Sequence, residues 1–309
     1  MLAHLSALVT GMGLPLPIIG WAEQRRKSNY ASFHCLQALG YQSLGYTVWI
    51  LFTLLVMMVL VFVLIGSMGI REQSPDGFES FTAVWTIAIF VVMMLLIGMY
   101  FVLPIIAAVA CALGKDFRYP FIGNRLARYL EFNPGDESWL NEEHEDRWVA
   151  SMSHFSVIIA LWGMLAPLAA WIMQGKRSVW LKFQSAQALA LHALVLVMSV
   201  AAGGVYLLGF VLFAILIGFG ESAANGPVGM TGLAILILSM LVAALIVLLV
   251  PLFHIMGQWA GYRVLKGDNY RYPLLGGLVA RVILSSAKRR EESLVDERDP
   301  SVAKNAPSG

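Results

Sequence analysis

The chain carries the same apolar module twice, and this duplication constrains its fold more than any other feature. Residues 1–40 align without a gap to residues 151–190, at an offset of 150 positions. Identical pairs in this stretch include His4 with His154, Trp21 with Trp171, Phe33 with Phe183 and Gln37 with Gln187. Farther along, at an offset of 153, Arg118, Tyr119 and Pro120 are matched by Arg271, Tyr272 and Pro273. We therefore expect a pseudo-dimer of copy one, residues 1–132, and copy two, residues 151–287.

The composition predicts an all-α polytopic membrane protein. Hydrophobic residues make up 59% of the 309 positions and charged residues 13%, with a mean hydropathy of +0.73. Four segments, 39–66, 81–113, 186–219 and 230–262, contain no Asp, Glu, Lys or Arg. Each is longer than the ~20 residues that a helix needs to cross a bilayer, and none alternates like a barrel strand. The sequence predicts four long transmembrane helices.

Each copy also begins with a shorter apolar segment, 2–21 or 152–173, whose topology stays open. Glycine and proline interrupt these segments at Gly11, Gly13, Pro15, Pro17, Gly163 and Pro167. Such breaks favour re-entrant segments that enter and leave by one face. All Lys and Arg residues except Arg71 then lie on one side, which we expect to be cytoplasmic together with both termini. The alternative has six full spans and inverted copies, and it divides the basic residues between the two sides.

The remaining segments are polar. Residues 133–150 form an acidic linker, for which we expect a solvated tether that pairs with the basic loops. These loops carry Arg25, Arg26 and Lys27 in copy one and Lys176, Arg177 and Lys182 in copy two. The charged, Pro- and Ser-containing tail at 288–309 has the composition of a disordered segment.

Candidate functional residues lie at the ends of the long helices. Phe33 and Gln37, like Phe183 and Gln187, are four residues apart and therefore share a helical face. Glutamine at a membrane boundary can hydrogen-bond to a neighbouring helix, so we interpret both as structural clamps, with a ligand-binding role as the alternative. Arg118, Tyr119 and Pro120 close the last helix of copy one, as Arg271, Tyr272 and Pro273 do in copy two.

Several function classes lack support. The long segments carry no ionisable carboxylate, Lys or Arg for coupled transport, and hydrolase, P-loop and dinucleotide motifs are missing. A net charge of +2 gives no indication of nucleic-acid binding. The six histidines include no H-E-x-x-H pattern, and Cys35 and Cys111 suggest free thiols packed as small apolar groups. We expect no catalytic residues, no cofactor and no metal site.

Short motifs carry a family resemblance. They comprise His4-Leu5-Ser6 with its counterpart at His154, Phe33-His34 followed by Gln37-Ala38, and the closing Arg-Tyr-Pro. In these elements the chain resembles a family of small uncharacterised prokaryotic membrane proteins, itself similar to the membrane subunit of the chloroplast Tic protein-import translocon. The resemblance covers about 120 residues of each copy. Copy two departs from it, with Gln184 where the family favours His. It implies a helical membrane protein with a translocon component among its relatives.

These observations favour a non-enzymatic protein of a prokaryotic cytoplasmic (inner) membrane. The leading hypothesis is a scaffold or accessory subunit of a membrane assembly, one for protein translocation if the resemblance holds. Its expected partners are the lipid bilayer, other membrane proteins and further copies of the chain, but no nucleic acid. The rival hypothesis is a passive channel or facilitator with a path between the copies near Gln37 and Gln187. A membrane enzyme using His4 or His154 has the least support.

Overall fold

The computed structural model describes residues 1–135, 138–174, 177–218 and 226–283, without side-chain detail at 69–73, 75 and 160. Throughout these ranges the chain forms helices and turns, with no strand. The predicted disordered tail at 288–309 lies outside the described residues, as do residues 136–137 of the linker and residues 219–225.

Copy one contains five α-helices in chain order. These are α1 (Leu2–Leu5), α2 (Pro15–Gln24), α3 (Asn29–Gln73), α4 (Pro75–Ala112) and α5 (Gly123–Tyr129), with a 3-10 stretch at Ser6–Gly13 between α1 and α2. Copy two repeats this order with α6 (Glu142–Phe155), a 3-10 turn at Ser156–Ile159, α7 (Ala160–Gly163), α8 (Leu165–Gln174), α9 (Val179–Gly218) and α10 (Pro227–Leu265). A final helix, α11, covers residues 275–283.

The four long helices α3, α4, α9 and α10 confirm the prediction of a polytopic helical membrane protein. Each contains an apolar span of 37 to 40 residues. Large side chains such as Phe62, Leu95, Leu208 and Leu248 are exposed along them. Exposed apolar surface of this extent requires lipid around it, because soluble proteins rarely leave such surface in contact with water.

The two shorter apolar segments are broken, as predicted. Val9 and Thr10 leave helical geometry inside the first segment, and Pro15 then opens α2. Proline suits this position because the first turn of a helix needs no backbone N–H donor. At ten residues α2 extends only ~15 Å, about half of the ~30 Å hydrocarbon layer, and α8 has the same length.

The buried core lies at one end of the molecule, which we call the base. Phe33 and Leu36 of α3, Leu181 of α9 and Val264 of α10 belong to one hydrophobic cluster there. The long helices of both copies therefore leave from the same end. With six spans and inverted copies, the first turns of α3 and α9 would lie on opposite sides of the bilayer, so the structure does not have that arrangement.

Helix α6 corrects the interpretation of the acidic linker. Asn141 caps this helix through the backbone N–H of His144, and the linker boundary at residue 150 falls inside it. Glu145 is only 2% exposed and Trp148 is buried. The second half of the linker is thus not a solvated tether, because its apolar face packs into the base. The expected pairing with a basic loop is present, since Arg25 binds both Glu145 and Asp146.

Candidate functional site: paired His-Tyr-Gln clusters

In copy one, the side chain of Gln37 holds the chain segment that follows α4. Its Oε1 accepts a hydrogen bond from the backbone N–H of Tyr119 at 3.0 Å. Its Nε2 donates to the backbone carbonyl of Phe117, also at 3.0 Å. Gln37 is fully buried, so these bonds satisfy backbone groups that water cannot reach. We call this pair of bonds the glutamine clamp.

Copy two contains the same clamp. Oε1 of Gln187 accepts from the backbone N–H of Tyr272 at 3.1 Å, and its Nε2 donates to the carbonyl of Tyr270 at 3.2 Å. Each glutamine is therefore bonded within its own copy. These contacts are those of a structural clamp, whereas a role in ligand binding or in a path between the copies stays a prediction.

A buried histidine and tyrosine lie beside each clamp. Nδ1 of His4 is 3.0 Å from the Tyr119 hydroxyl, and Nδ1 of His154 is 2.8 Å from the Tyr272 hydroxyl. Burial lowers the pKa of His4 to about 3 and that of His154 to about 4. Burial also raises the pKa of both tyrosines. Both pairs are neutral near pH 7 and carry no charge into the base.

The other residues singled out from the sequence surround these clusters. The Phe33 ring stacks on Phe132 at 4.1 Å between centroids, and the Arg271 guanidinium lies 5.5 Å from the centre of the Phe183 ring. Arg118 donates to Asp116 and Asn124. Pro120 and Pro273 each precede a residue with positive φ, Phe121 or Leu274. The motif residues thus come together, mostly through packing and backbone contacts.

The two clusters differ on the side of the histidine that faces away from the tyrosine. In copy one, Nε2 of His4 lies 3.4 Å from Nδ1 of His34, and Nε2 of His34 lies 3.6 Å from a carboxylate oxygen of Asp116. In copy two, Nε2 of His154 lies 3.2 Å from Oε1 of Gln184. Gln184 in turn donates to Asn269 at 3.0 Å, so amides close this space.

Sequence reasoning missed the neighbours of His4. A nitrogen of His4, a nitrogen of His34 and Sγ of Cys111 all lie within 4.8 Å of one another. The free thiol of Cys111 is partly buried, at the end of α4. The offset of 153 pairs Cys111 with Val264 and Asp116 with Asn269. Comparing the two copies in the sequence could therefore have indicated that these two polar residues occur only in copy one.

A second polar cluster joins the copies. Arg25 Nε lies 2.9 Å from Glu145, its Nη1 lies 2.7 Å from Asp146, and the Trp21 indole donates to Glu145 at 3.0 Å. Burial raises the pKa of Glu145 even though Arg25 lowers it, so desolvation outweighs the attraction between the charges. This cluster positions α6 against α2, and none of its geometry suggests a reacting centre.

Ser156 Oγ lies 3.4 Å from Nε2 of His192, but its hydroxyl donates to the carbonyls of Ser153 and Gly163. Nδ1 of His192 contacts the Ala188 carbonyl, so no carboxylate orients this imidazole as in a catalytic triad. Serine hydroxyls at the base, such as Ser151 and Ser153, donate to backbone carbonyls. The arrangement is that of polar contacts that hold helices together.

Comparison with known proteins corrects the family assignment. The model of the magnetosome magnetite crystal formation protein family matches residues 1–126 and 145–279, one match in each copy. No curated protein and no solved structure matches the chain. The assignment to a family related to the Tic translocon subunit is therefore wrong, because the family model that matches both copies is a different one. The chain belongs to the magnetosome magnetite crystal formation (MamF/MmsF) protein family.

Proposed function

We propose that the protein is a non-enzymatic, multi-pass component of the magnetosome membrane that takes part in magnetite crystal formation. The family match across both copies is the observation that carries this proposal. The four long helices are consistent with residence in that membrane, which derives from the cytoplasmic membrane.

The mineral then lies on the side of the tips, which are residues 67–80 at the junction of α3 and α4 and residues 220–229 at the junction of α9 and α10. All Lys and Arg residues except Arg71 lie elsewhere in the chain, which favours a cytoplasmic base. The lumen of a vesicle formed from the cytoplasmic membrane corresponds to the outside of the cell, so the tips face it. They carry Glu72, Asp76, Glu79 and Glu221. Acidic residues grouped at this end of the helices raise the local concentration of cations.

We infer that the duplication has a physical role in this function. Helix α6 packs against α3 of copy one and against α9 and α10 of copy two, and α2 packs on α8. The core that both copies share at the base holds two hairpins, α3–α4 and α9–α10, side by side. The protein then acts as a scaffold that presents two tips at a fixed spacing. Other magnetosome proteins and further copies of the chain are its proposed partners.

The test compares crystal formation in a magnetite-forming host whose own copy of the gene is deleted. Wild-type protein is expected to restore crystal size, measured by electron microscopy. The variant Asp76→Asn/Glu79→Gln/Glu221→Gln should restore it only partly at equal membrane abundance. Glu23→Gln, which removes an exposed carboxylate near the base, is the matched control and should behave as wild type. Normal crystals with the tip variant would refute the role of the tips, and normal crystals in the deletion strain would refute the proposed function.

Orientation is tested separately by cysteine labelling. In a Cys35→Ser/Cys111→Ser background, Ser74→Cys and Asn225→Cys place single thiols at the two tips. Isolated magnetosomes with the cytoplasmic side outward should leave both thiols unlabelled by an impermeant maleimide until detergent is added. Labelling of one tip before detergent would contradict the side-by-side arrangement, and labelling of both would contradict the proposed orientation.

A further inference from the structure

Copy one contains a cluster of metal-ligating side chains that the glutamine clamps do not use. His4 comes from α1, His34 from the second turn of α3, and Cys111 from the last turn of α4. One potential ligand atom from each lies within 4.8 Å of the other two. Both histidines are buried, and Cys111 is partly exposed.

The spacing of the imidazoles suits a tetrahedral ion. Nε2 of His4 and Nδ1 of His34 are 3.4 Å apart. Two nitrogen ligands at ~2.0–2.1 Å from a tetrahedrally coordinated ion are separated by ~3.3–3.4 Å. The two ring nitrogens thus have the separation expected of neighbouring ligands before any ion enters.

The opposite ring nitrogens have the partners that metal-binding histidines require. Nδ1 of His4 lies 3.0 Å from the hydroxyl of Tyr119. Nε2 of His34 is buried and makes no hydrogen bond, but it lies 3.6 Å from the Asp116 carboxylate. A carboxylate or hydroxyl behind the imidazole fixes its tautomer and its orientation toward a metal.

Copy two shows that the fold does not need this set. There Gln184, Val264 and Asn269 stand at the positions of His34, Cys111 and Asp116. Gln184 bonds to His154 and Asn269, so the equivalent space is closed by hydrogen bonds alone. The module therefore folds with a fully bonded amide, whereas copy one keeps two imidazoles, a thiol and a carboxylate.

We propose that copy one binds a first-row divalent cation of borderline softness, such as Zn²⁺ or Fe²⁺, through His4, His34 and Cys111. Two imidazoles and one thiolate suit such ions better than Mg²⁺ or Ca²⁺. Cys111 binds as the thiolate and releases its proton to solvent. Three protein ligands leave a fourth position open to water or another donor. This site lies at the base, away from the tips, and does not depend on the proposed function.

The experiment is an anaerobic titration of the full-length protein in mild detergent with Co²⁺, followed by its absorption spectrum. We expect the sulfur-to-cobalt charge-transfer band and the intense visible bands of four-coordinate Co²⁺, saturating at about one ion per chain. Zn²⁺ should displace the colour. His34→Gln and Cys111→Val install the copy-two residues and should abolish the charge-transfer band, while Asp116→Asn should weaken binding by ~10- to 100-fold.

The chain has only two cysteines, which makes the control direct. Cys35→Ser should retain the full spectrum, since Cys35 lies outside the cluster. Circular dichroism and gel filtration establish that each variant is folded. Absence of the charge-transfer band from folded wild-type protein would overturn the proposal, as would a band that survives Cys111→Val or disappears with Cys35→Ser.

Discussion

The two copies share the glutamine clamp but differ in how they begin. Copy one starts with the short helix α1, whereas copy two starts with α6, whose residues before Ser151 precede the aligned stretch. This extension packs against copy one, where the Trp148 indole donates to the carbonyl of Leu36 at 2.9 Å. The segment that joins the two copies is therefore more than a covalent connection, because the extra turns of α6 complete a core that both copies share.

The largest effect is expected where α6 meets the basic loop of copy one. Arg25→Ala leaves Glu145 as a buried, unpaired carboxylate, and losing one partner of such a pair costs ~3–5 kcal/mol. Thermal unfolding in detergent, followed by tryptophan fluorescence, measures the loss. Arg177→Ala changes an exposed residue of the copy-two loop and should cost less than ~0.5 kcal/mol. Equal effects of the two variants would mean that α6 does not couple the copies through Arg25.

The second largest loss of stability is expected when a glutamine clamp is removed. Gln37→Leu and Gln187→Leu keep the side-chain volume but leave two backbone groups without their hydrogen bonds, at ~1–3 kcal/mol in each copy. The same unfolding measurement compares them. Similar losses would support equivalent clamps, and a loss in only one copy would break the equivalence.

A smaller effect is expected from glycine-to-alanine substitutions, whose cost in stability should differ between the hairpins α9–α10 and α3–α4. A Cβ on Gly209 would lie 1.9 Å from Ser239 Oγ, so Gly209→Ala must push α9 from α10 and should cost ~1–2 kcal/mol. A Cβ on Gly66 of α3 meets no atom within 4 Å, so Gly66→Ala should be neutral or stabilise by up to ~1 kcal/mol. If both substitutions are harmless, α9 and α10 are not tightly packed at this level.

The smallest effect is the pH dependence from the buried histidines. The pKa of His4, about 3, and that of His154, about 4, lie below the ordinary 6.5, so the unfolded chain binds more protons between these values. The contribution of each buried histidine to the free energy of unfolding is therefore fully present above pH 6.5. It falls by about 1 kcal/mol per histidine between pH 7 and 5.5. Glu145, with its raised pKa, opposes this by favouring the folded state as pH falls toward 4.5.

Unfolding curves with chelator at pH 7 and 5.5 measure that loss. His4→Gln and His154→Gln should each flatten the pH dependence by a similar amount. A variant that leaves the slope unchanged would show that its histidine gains no protons on unfolding in this range.

Local patterns in the sequence predicted much of the fold. Uncharged apolar stretches predicted α3, α4, α9 and α10, and glycine and proline predicted the breaks before them. The interpretation of Gln37 and Gln187 as clamps to a neighbouring helix stays a prediction, since their hydrogen bonds go to the non-helical backbone that follows α4 and α10. The Tic assignment was wrong because it depended on short polar motifs at helix ends, where similar residues meet similar demands for capping and anchoring in many membrane proteins.

By itself, the sequence determined the helices, their breaks and the duplication, since hydropathy, glycine, proline and repeat spacing act through neighbouring residues. Only the tertiary structure decided that α6 enters the shared core and that Cys111 lies beside His4 and His34. Those contacts join residues separated by more than seventy positions along the chain. Packing among several helices decides which distant side chains meet, and no local pattern encodes that arrangement.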